Sequence, residues 1–312
     1  MSLTYGDIKA AADCIAGHVR PAVTAPVDPG ALPGHVWLAL EFMQHTVSFK
    51  ARGAYNFTAA HHGAGMLPDA GITIASGGNA GLACAWAARE HGVRATVFLR
   101  ENAPRVKAER LRGYGADVRM AGEEYAEALA ACEEFAARTG ALASHAYDHP
   151  LVAAGAGALL EEVRDHLPDL DTVIVAVGGG GLFAALATAA QEHGIRTVAV
   201  EPENCQALNA ALAAGHPIDV TVDSVAADSL GARRASSAAH AAAQHPGVTS
   251  LLVPDTAISQ ARQALWDHRR LAVEHAAAAA LATLTSGAYT PAANEHVAVI
   301  LCGANTNPAD LT

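Results

Sequence analysis

Short apolar segments rich in valine and isoleucine alternate along this chain with longer segments rich in alanine and leucine. The short segments have the length and composition of buried strands, and the longer ones place apolar residues at helical spacing. The predicted strands are Gly71–Ala75, Ala95–Leu99, Ala116–Met120, Thr172–Val177, Thr197–Val200, Ser250–Val253 and His296–Leu301. The predicted helices are Gly81–Glu90, Val106–Tyr114, Tyr125–Thr139, Ala153–Asp165, Leu182–Glu192, Ser259–Leu271 and a buried one around Ala276–Ala280.

The alternation of strands and helices predicts the class of fold. Strands that are apolar on both faces and separated by helices are typical of an α/β fold with parallel sheets. The segment Asp148-His149-Pro150 is the predicted crossing point between two such lobes, and a ligand would bind in the cleft between them. The predicted domains are a small one of residues 71–148 and a large one of residues 1–70 and 149–312.

Composition narrows the classes of function. The chain has 312 residues, 51% of them hydrophobic and 16% charged, so we expect a sizeable core and no extended disorder. A formal charge of −11 with scattered arginines argues against a nucleic-acid surface. The first residues lack the features of a signal peptide, and no uncharged apolar run reaches the roughly 18 residues of a membrane span. The five cysteines form no CxxC pair, which favours a reduced, cytoplasmic location.

Lysine is scarce in this chain, whereas arginine is common. Lys9, Lys50 and Lys107 are its three lysines, against seventeen arginines. An amine can lose its proton and attack a carbonyl group, which a guanidinium cannot do. Lys50, in the segment Ser48-Phe49-Lys50, is therefore a candidate Schiff-base nucleophile. The alternative interpretation is an ordinary solvated lysine on a helix.

Four consecutive glycines follow one predicted strand. Gly178–Gly181 come directly after Val173–Val177 and before a predicted helix. The backbone N–H groups of such a loop and of the first helical turn can hold a phosphate group. The start of a dinucleotide-binding fingerprint is also present, but Phe183 occupies its third glycine position, which disfavours a Rossmann oxidoreductase. A purely structural role for the glycines is the other interpretation.

Two further strand ends carry polar groups. Ser76-Gly77-Gly78-Asn79 follows the first predicted strand and opens a helix, an arrangement suited to a carboxylate or a phenolic oxygen. Cys302 ends the last predicted strand with a thiol, although a lone cysteine in such a place is usually a small core residue. Ligands of α/β sheets bind outside the carboxyl ends of the strands, so we expect these sites to converge.

Together these motifs resemble one family. The chain is similar to the fold-type II pyridoxal-phosphate (PLP) enzymes, which share the tryptophan synthase β-like fold, and among them to the serine and threonine dehydratases. The resemblance covers nearly the whole chain, with the motifs in the family's order, and it implies two parallel-sheet lobes with the active site in the interlobe cleft. The matching segments are Gln44–Ala54, Ser76–Gly81, Asp148–Gly155, Val177–Leu182, Val273-Glu274 and Leu301–Asn305.

The resemblance implies which residues bind the cofactor. Lys50 would hold PLP as a Schiff base, with Phe49 packed beside it. Asn79 would donate a hydrogen bond to the O3′ oxygen of the ring, and Cys302 would face the pyridine nitrogen. A thiol leaves that ring neutral, which suits β-elimination better than transamination. The phosphate would be bound by Gly178, Gly179, Gly180, Gly181 and Leu182.

The resemblance also implies a substrate site and a cation site. Racemases of this family place a second acid/base serine where this chain has Gly77, so efficient racemisation is not expected. Glu201 matches a cation-binding glutamate at a strand end, but Ala207 replaces the second acidic ligand of a divalent site. A monovalent cation held mainly by carbonyl groups is the remaining expectation there. The substrate carboxylate would be held by Ser76, Gly77, Gly78 and Asn79.

The implied reaction is the deaminating dehydration of a β-hydroxy amino acid, most simply L-threonine to 2-oxobutanoate or L-serine to pyruvate. The alternatives are a 3-hydroxyaspartate or phenylserine dehydratase, or another fold-type II enzyme of β-elimination or β-replacement. An inward-facing Arg233 would favour a second substrate carboxylate. A non-catalytic binding protein is the alternative outside enzymes, and Lys50 argues against it. The resemblance also implies a homodimer, and Val47 departs from the glycine that usually precedes Ser-Phe-Lys.

Overall fold

The computed structural model describes residues 3–311 of the chain. Its helices are α1 (Tyr5–Ile15), α2 (Lys50–Gly63), α3 (Asn79–Glu90), α4 (Arg105–Gly113), α5 (Tyr125–Thr139), α6 (Pro150–His166), α7 (Gly181–Glu192), α8 (Ala207–Ala214), α9 (Ala227–Leu230), α10 (Ser237–Ala243), α11 (Asp255–Arg269) and α12 (His275–Thr285). Its strands are β1 (Thr24–Pro26), β2 (His35–Ala39), β3 (Ile72–Ala75), β4 (Ala95–Leu99), β5 (Asp117–Met120), β6 (Leu142–Ala143), β7 (Thr172–Ala176), β8 (Arg196–Pro202), β9 (Val248–Val253) and β10 (His296–Ile300). Short 3-10 helices cover Glu41–Met43, His45–Val47 and Pro308–Leu311.

The strands form two sheets. One has six strands in the order β1-β2-β10-β7-β8-β9, and the other has four in the order β5-β4-β3-β6. Neighbouring strands are parallel except for β1 and β2, which pair antiparallel at one edge. The predicted α/β class with parallel sheets is therefore confirmed. Among the described helices, none combines the length and the apolar character needed to cross a membrane.

The apolar pattern predicted seven of the ten described strands and missed three. All seven predicted strands are present, with their ends shifted by no more than about two residues, the usual uncertainty of strand boundaries. The missed strand β1 has three residues and includes Pro26, which is tolerated because β1 lies at a sheet edge. The missed strand β6 has only two residues. Strand β2 has five residues and lies inside the six-stranded sheet, and its apolar residues follow the exposed His35.

Two features of the sheets determine where the candidate residues lie. Strands β7 and β10 are neighbours inside the six-stranded sheet. The glycine loop and Cys302, which follow their carboxyl ends, therefore lie side by side. Strand β3 is inside the four-stranded sheet and leads into the turn before α3. The predicted helix around Ala276–Ala280 is α12, and these alanines are buried, which lets the helix pack closely on the six-stranded sheet.

A buried cluster of charges links the segment before Lys50 to the large core. The fully buried Arg52 on α2 donates from Nε to Glu41 Oε1 at 2.5 Å. Its Nη1 and Nη2 atoms donate to the two carboxylate oxygens of Glu162 on α6, at 2.6 and 3.0 Å. A buried charge that loses its partner is strongly unfavourable. The cluster therefore holds the 3-10 helix at Glu41, α2 and α6 in a fixed arrangement.

We expect Arg52→Ala to lower the free energy of unfolding by about 3–5 kcal/mol, because it leaves the carboxylates of Glu41 and Glu162 without their shared partner. The control is Arg105→Ala, which breaks an exposed ion pair with Glu109 and should change stability by no more than about 0.5 kcal/mol. Urea unfolding followed by circular dichroism at pH 7 measures both. Equal losses in the two variants would contradict a structural role for the cluster.

Candidate active site

Lys50 is the first residue of α2, and its side chain is partly buried. Its Nζ atom donates to the Ala146 carbonyl at 2.8 Å and lies 4.5 Å from the centre of the Phe49 ring. Burial lowers the pKa of Lys50 to about 8, although the nearby Cys302 and Glu274 oppose this shift. Roughly half of such amines are unprotonated at pH 8, so Lys50 can act as a nucleophile or as a base.

Backbone hydrogen bonds fix the start of α2 against the segment that follows β10. The Phe49 N–H donates to the Cys302 carbonyl, and the Ala304 N–H donates to the Val47 carbonyl, each at 3.0 Å. An isolated antiparallel bridge lies between these two bonds and joins residues 48 and 303. The amine of Lys50 is therefore placed by strand β10, more than 240 residues later in the sequence, as well as by its own helix.

The two residues at positions 46 and 47 are backbone-strained. Thr46 and Val47 have φ angles of 57° and 61°, in the left-handed region that β-branched residues rarely adopt. The Nδ2 atom of Asn305 donates to the Thr46 carbonyl at 2.8 Å and helps to hold this conformation. Val47 stands where the family usually has glycine. Glycine adopts a positive φ angle without strain, whereas valine does so only at a cost in free energy.

The thiol of Cys302 is buried beside this segment. Burial raises the pKa of Cys302 to about 12, and the nearby Glu274 carboxylate acts in the same direction. The thiol is consequently protonated and uncharged at physiological pH. The backbone hydrogen bond from Phe49 to Cys302 thus keeps the residue that carries the thiol next to the start of α2, where Lys50 lies.

The glycine loop between β7 and α7 comes close to the segment that contacts Lys50. A Cβ atom on Gly179 would clash with the Tyr147 ring, and one on Gly181 would lie 2.6 Å from the Tyr147 carbonyl oxygen. Gly180 has a φ angle of 91°, which favours glycine. The loop leads into a helix of twelve residues whose second residue is the buried Leu182. Free N–H groups at such a helix start suit a phosphate group.

The turn from Ser76 to Asn79 joins β3 to α3. The Gly78 N–H donates to Ser76 Oγ at 3.4 Å. A Cβ atom on Gly77 would lie 2.9 Å from Cδ2 of Leu99, whereas one on Gly78 would meet no atom within 4 Å. The turn therefore leaves open space beside Gly78 at the start of a helix, which suits a carboxylate.

Asn79 is held by two residues for which the sequence indicated no role. Its Nδ2 atom donates to both carboxylate oxygens of Glu274, at 3.0 and 2.9 Å, and its Oδ1 atom accepts from Asn305 Nδ2. Glu274 is buried, and a Cβ atom on Gly303 would clash with one of its oxygens. Burial raises the pKa of Glu274 to about 7, although the Asn79 hydrogen bond opposes the shift. A glutamate just before the alanine-rich helix α12 was the available signal.

Glu201 lies near the end of β8, and its carboxylate accepts hydrogen bonds from the first turn of helix α8. Its oxygens accept from the N–H groups of Leu208 and Asn209 at 2.7 and 2.8 Å. Burial raises the pKa of Glu201 to about 7, although these two hydrogen bonds oppose the shift. Within residues 3–311, no group of three or more histidine, cysteine, aspartate or glutamate side chains could hold a metal ion. The bonds that connect Lys50, Cys302 and Asn79 do not extend to Glu201.

The fold and the site define an α/β enzyme suited to PLP, because the Lys50 amine has a low pKa, the loop at Gly179–Gly181 has no room for a Cβ atom, and the Cys302 thiol is neutral. The family described as "Pyridoxal-phosphate dependent enzyme" matches residues 17–303. The chain belongs to this family, in its fold-type II group of serine and threonine dehydratases.

Curated relatives and solved structures resemble the chain over most of its length. A "Serine dehydratase-like" protein of Rattus norvegicus is 33% identical and covers 95% of this chain and 94% of its own. A catabolic L-threonine dehydratase of Staphylococcus aureus is 32% identical, with 91% and 83% covered. The processed form of threonine deaminase isoform 2 from Solanum lycopersicum has a TM-score of 0.87 at 26% identity, with 98% and 85% covered. A PLP-dependent aspartate racemase has a TM-score of 0.89 at 26% identity, with 99% and 98% covered.

We expect Glu274→Gln to lower the pKa of Lys50 further below 8, because it removes a carboxylate that raises this pKa. The substitution keeps the shape of the side chain, and the carboxylate it removes is largely ionised at pH 8, where Lys50 titrates. The measurement is the pH dependence of the rate at which PLP added to the apo-protein becomes bound. Glu109→Gln removes an exposed carboxylate from α4 and should leave the midpoint unchanged. A midpoint that rises, or that shifts equally in both variants, would refute the assignment.

Proposed function

We propose that this protein catalyses the PLP-dependent deaminating dehydration of a β-hydroxy amino acid. L-Threonine would give 2-oxobutanoate and ammonia, and L-serine would give pyruvate and ammonia. The observation that carries the proposal is the Lys50 amine, whose pKa burial lowers to about 8 and which binds the carbonyl of Ala146, the residue before the Tyr147 that packs on the glycine loop. The names of the rat and staphylococcal relatives support the same substrate class.

PLP, when bound, supplies a sink for the electrons left at the substrate Cα. Lys50 would hold the cofactor through its amine, and the freed amine would be the base that takes the proton from the substrate Cα. Phe49 packs against the amine and restricts its motion. Asn79, whose amide is held by Glu274, would donate to the O3′ oxygen of the cofactor. The phosphate would be bound by Gly178, Gly179, Gly180, Gly181 and Leu182.

Cys302 is assigned to the position opposite the pyridine nitrogen. Because burial raises its pKa to about 12, the thiol carries no negative charge that would keep this nitrogen protonated. A neutral ring would be a weaker electron sink, so the electron pair left at Cα should expel the β-hydroxyl group promptly, and that group would take up a proton and depart as water. This preference supports elimination over transamination.

The turn Ser76, Gly77, Gly78 and Asn79 is assigned to the substrate carboxylate. Several structural neighbours are named racemases. The family resemblance implies that racemases use a serine hydroxyl at the position of Gly77. Here that hydroxyl is absent, and a Cβ atom would lie only 2.9 Å from Leu99. These observations favour the dehydratase over a racemase.

The dicarboxylate alternative has less support from the residues near α9. The Arg233 side chain is exposed, and the neighbouring Arg234 donates to Asp219 at 2.7 Å. Neither arginine is an unpaired cation directed into a buried site. A 3-hydroxyaspartate dehydratase therefore ranks below the threonine and serine dehydratases, and phenylserine belongs in the same substrate panel.

We also propose that Glu201 binds a monovalent cation. We further propose that the protein is a homodimer and that it is located in the cytoplasm. Support for the cation is a buried carboxylate of raised pKa whose described partners are two N–H groups. Support for a reduced compartment is that all five cysteines are free. For the domains we keep residues 71–148 as the small one and 1–70 with 149–312 as the large one, since the four-stranded sheet lies wholly within the former.

Lys50→Ala tests the proposed function. We expect release of 2-oxo acid from L-threonine and L-serine to fall by at least about a hundredfold, because the variant lacks the attaching and proton-removing amine. Borohydride reduction followed by peptide mass spectrometry should find PLP on Lys50 of the wild type. Lys9→Ala changes an exposed lysine of α1 and is the control. Wild-type turnover retained by Lys50→Ala would refute the proposal, and wild-type production of D-amino acid instead of 2-oxo acid would favour a racemase.

Potassium ions should stabilise the wild type through Glu201. A carboxyl whose folded pKa is raised from 4.5 to about 7 costs stability as pH rises through that range, and a bound cation offsets this cost. At pH 8 we expect Tm in potassium chloride to exceed that in choline chloride by about 2–4 °C. Glu201→Gln should lose this difference, and Glu203→Gln, which changes an exposed carboxylate next to it, should keep it. Equal responses in all three proteins would rule out a cation at Glu201.

A further inference from the structure

Lys107 is the third lysine of the chain, and the proposed reaction gives it no role. It lies on α4, between β4 and β5 of the four-stranded sheet. Ala108 and Leu111 on the same helix are buried in the core of that sheet. Lys107 and Arg110 are three residues apart and so lie on one face of the helix. That face is directed towards the larger domain, because the Lys107 side chain binds Asp228 on α9 and the Arg110 side chain binds Asn305 after β10.

The ammonium group of Lys107 binds an acid on the other side of the site. Its Nζ atom lies 2.8 Å from Oδ1 of Asp228 on α9, a helix that connects β8 and β9 of the six-stranded sheet. The stem of Lys107 passes the substrate turn, since its Cδ atom would lie 3.7 Å from a Cβ atom on Gly77. The α9 end of the pair reaches the glycine loop, because Leu230 Cα would lie 3.2 Å from a Cβ atom on Gly178.

A second contact of α4 reaches the centre of the site. Arg110 donates from Nη2 to Oδ1 of Asn305, in the segment after β10. The amide nitrogen of Asn305 in turn donates to Asn79, which is held by Glu274. One helix of the four-stranded sheet is thus connected both to α9, beside the glycine loop, and to the hydrogen bonds around Asn79.

We propose that Lys107 and Asp228, the inter-sheet pair, are positioning residues that hold the Ser76–Asn79 turn closed over the glycine loop. This proposal rests on the proposed function, because that function assigns the Ser76–Asn79 turn to the substrate carboxylate. The pair contacts neither the reacting atoms nor Lys50. It acts by setting the separation between the substrate turn and the cofactor loop.

The pair has the properties of a contact that opens and closes. Its side chains are 33% and 75% exposed, so the attraction is weak and is screened by salt. Breaking it should therefore weaken substrate binding by up to about fivefold without disrupting the fold. The chemical step should be nearly unaffected, because the closed arrangement still forms once substrate is bound.

Charge reversal tests the pair. Lys107→Glu and Asp228→Lys should each raise KM for L-threonine about fivefold, with kcat within about twofold of the wild type. The double variant Lys107→Glu/Asp228→Lys restores an attractive pair and should return KM towards the wild-type value. Arg105→Glu, which reverses another exposed charge on α4, is the matched control and should leave KM unchanged.

Hydrogen exchange separates this proposal from the proposed function. In the absence of substrate, amides of residues 76–81 should exchange faster in each single variant than in the wild type, and the double variant should reverse the increase. Raising the salt concentration should speed exchange in the wild type and not in the single variants. Hydrogen exchange does not depend on turnover, so these results would still test the role of the inter-sheet pair if the wild type converted none of the amino acids. Unchanged exchange in the single variants, or no recovery in the double variant, would overturn the proposal.

Discussion

Removing one amine from water is the constraint on which the rest of this structure depends. Lys50 can attach a cofactor and move a proton only if its charge is disfavoured, and burial lowers its pKa to about 8. The same burial raises the pKa of Glu274 to about 7 and of Cys302 to about 12, because desolvation disfavours whichever form is charged. The cluster around Arg52 keeps compensated charge two residues away. The charged forms of all three groups are therefore less favoured than in water, and Lys50 and Glu274 both change protonation state close to physiological pH.

The separation of interacting residues along the sequence determined how much of the fold and of the candidate site could be predicted. Strands β3, β7 and β10 are continuous apolar runs, and the polar residues of interest follow their ends directly, so both were visible locally. Asn79 and Glu274 are 195 positions apart, and Lys107 and Asp228 are 121 apart. No local pattern relates such residues, and the resemblance assigned no role to Glu274. Three-dimensional contacts alone supplied these pairs.

The segment before Lys50 shows how strain and hydrogen bonding are balanced. Two successive β-branched residues in the left-handed region cost roughly 1–2 kcal/mol each. That cost is opposed by the bonds from Ala304 and Asn305 to the carbonyls of Val47 and Thr46. The strained conformation therefore persists only while the segment after β10 is in place. The position of the Lys50 amine therefore depends on β10 and the segment after it being folded in place.

Strand β10 is the last strand of the described chain, yet it lies between β2 and β7 inside the larger sheet. During synthesis, β2 and β7 leave the ribosome long before the strand that separates them. The nascent chain must keep a gap between two apolar strands, or fill it transiently, until β10 arrives. Lys50 consequently acquires its buried environment only after β10 has been made, so a nascent chain that still lacks this strand holds an ordinary, charged lysine and no competent catalyst.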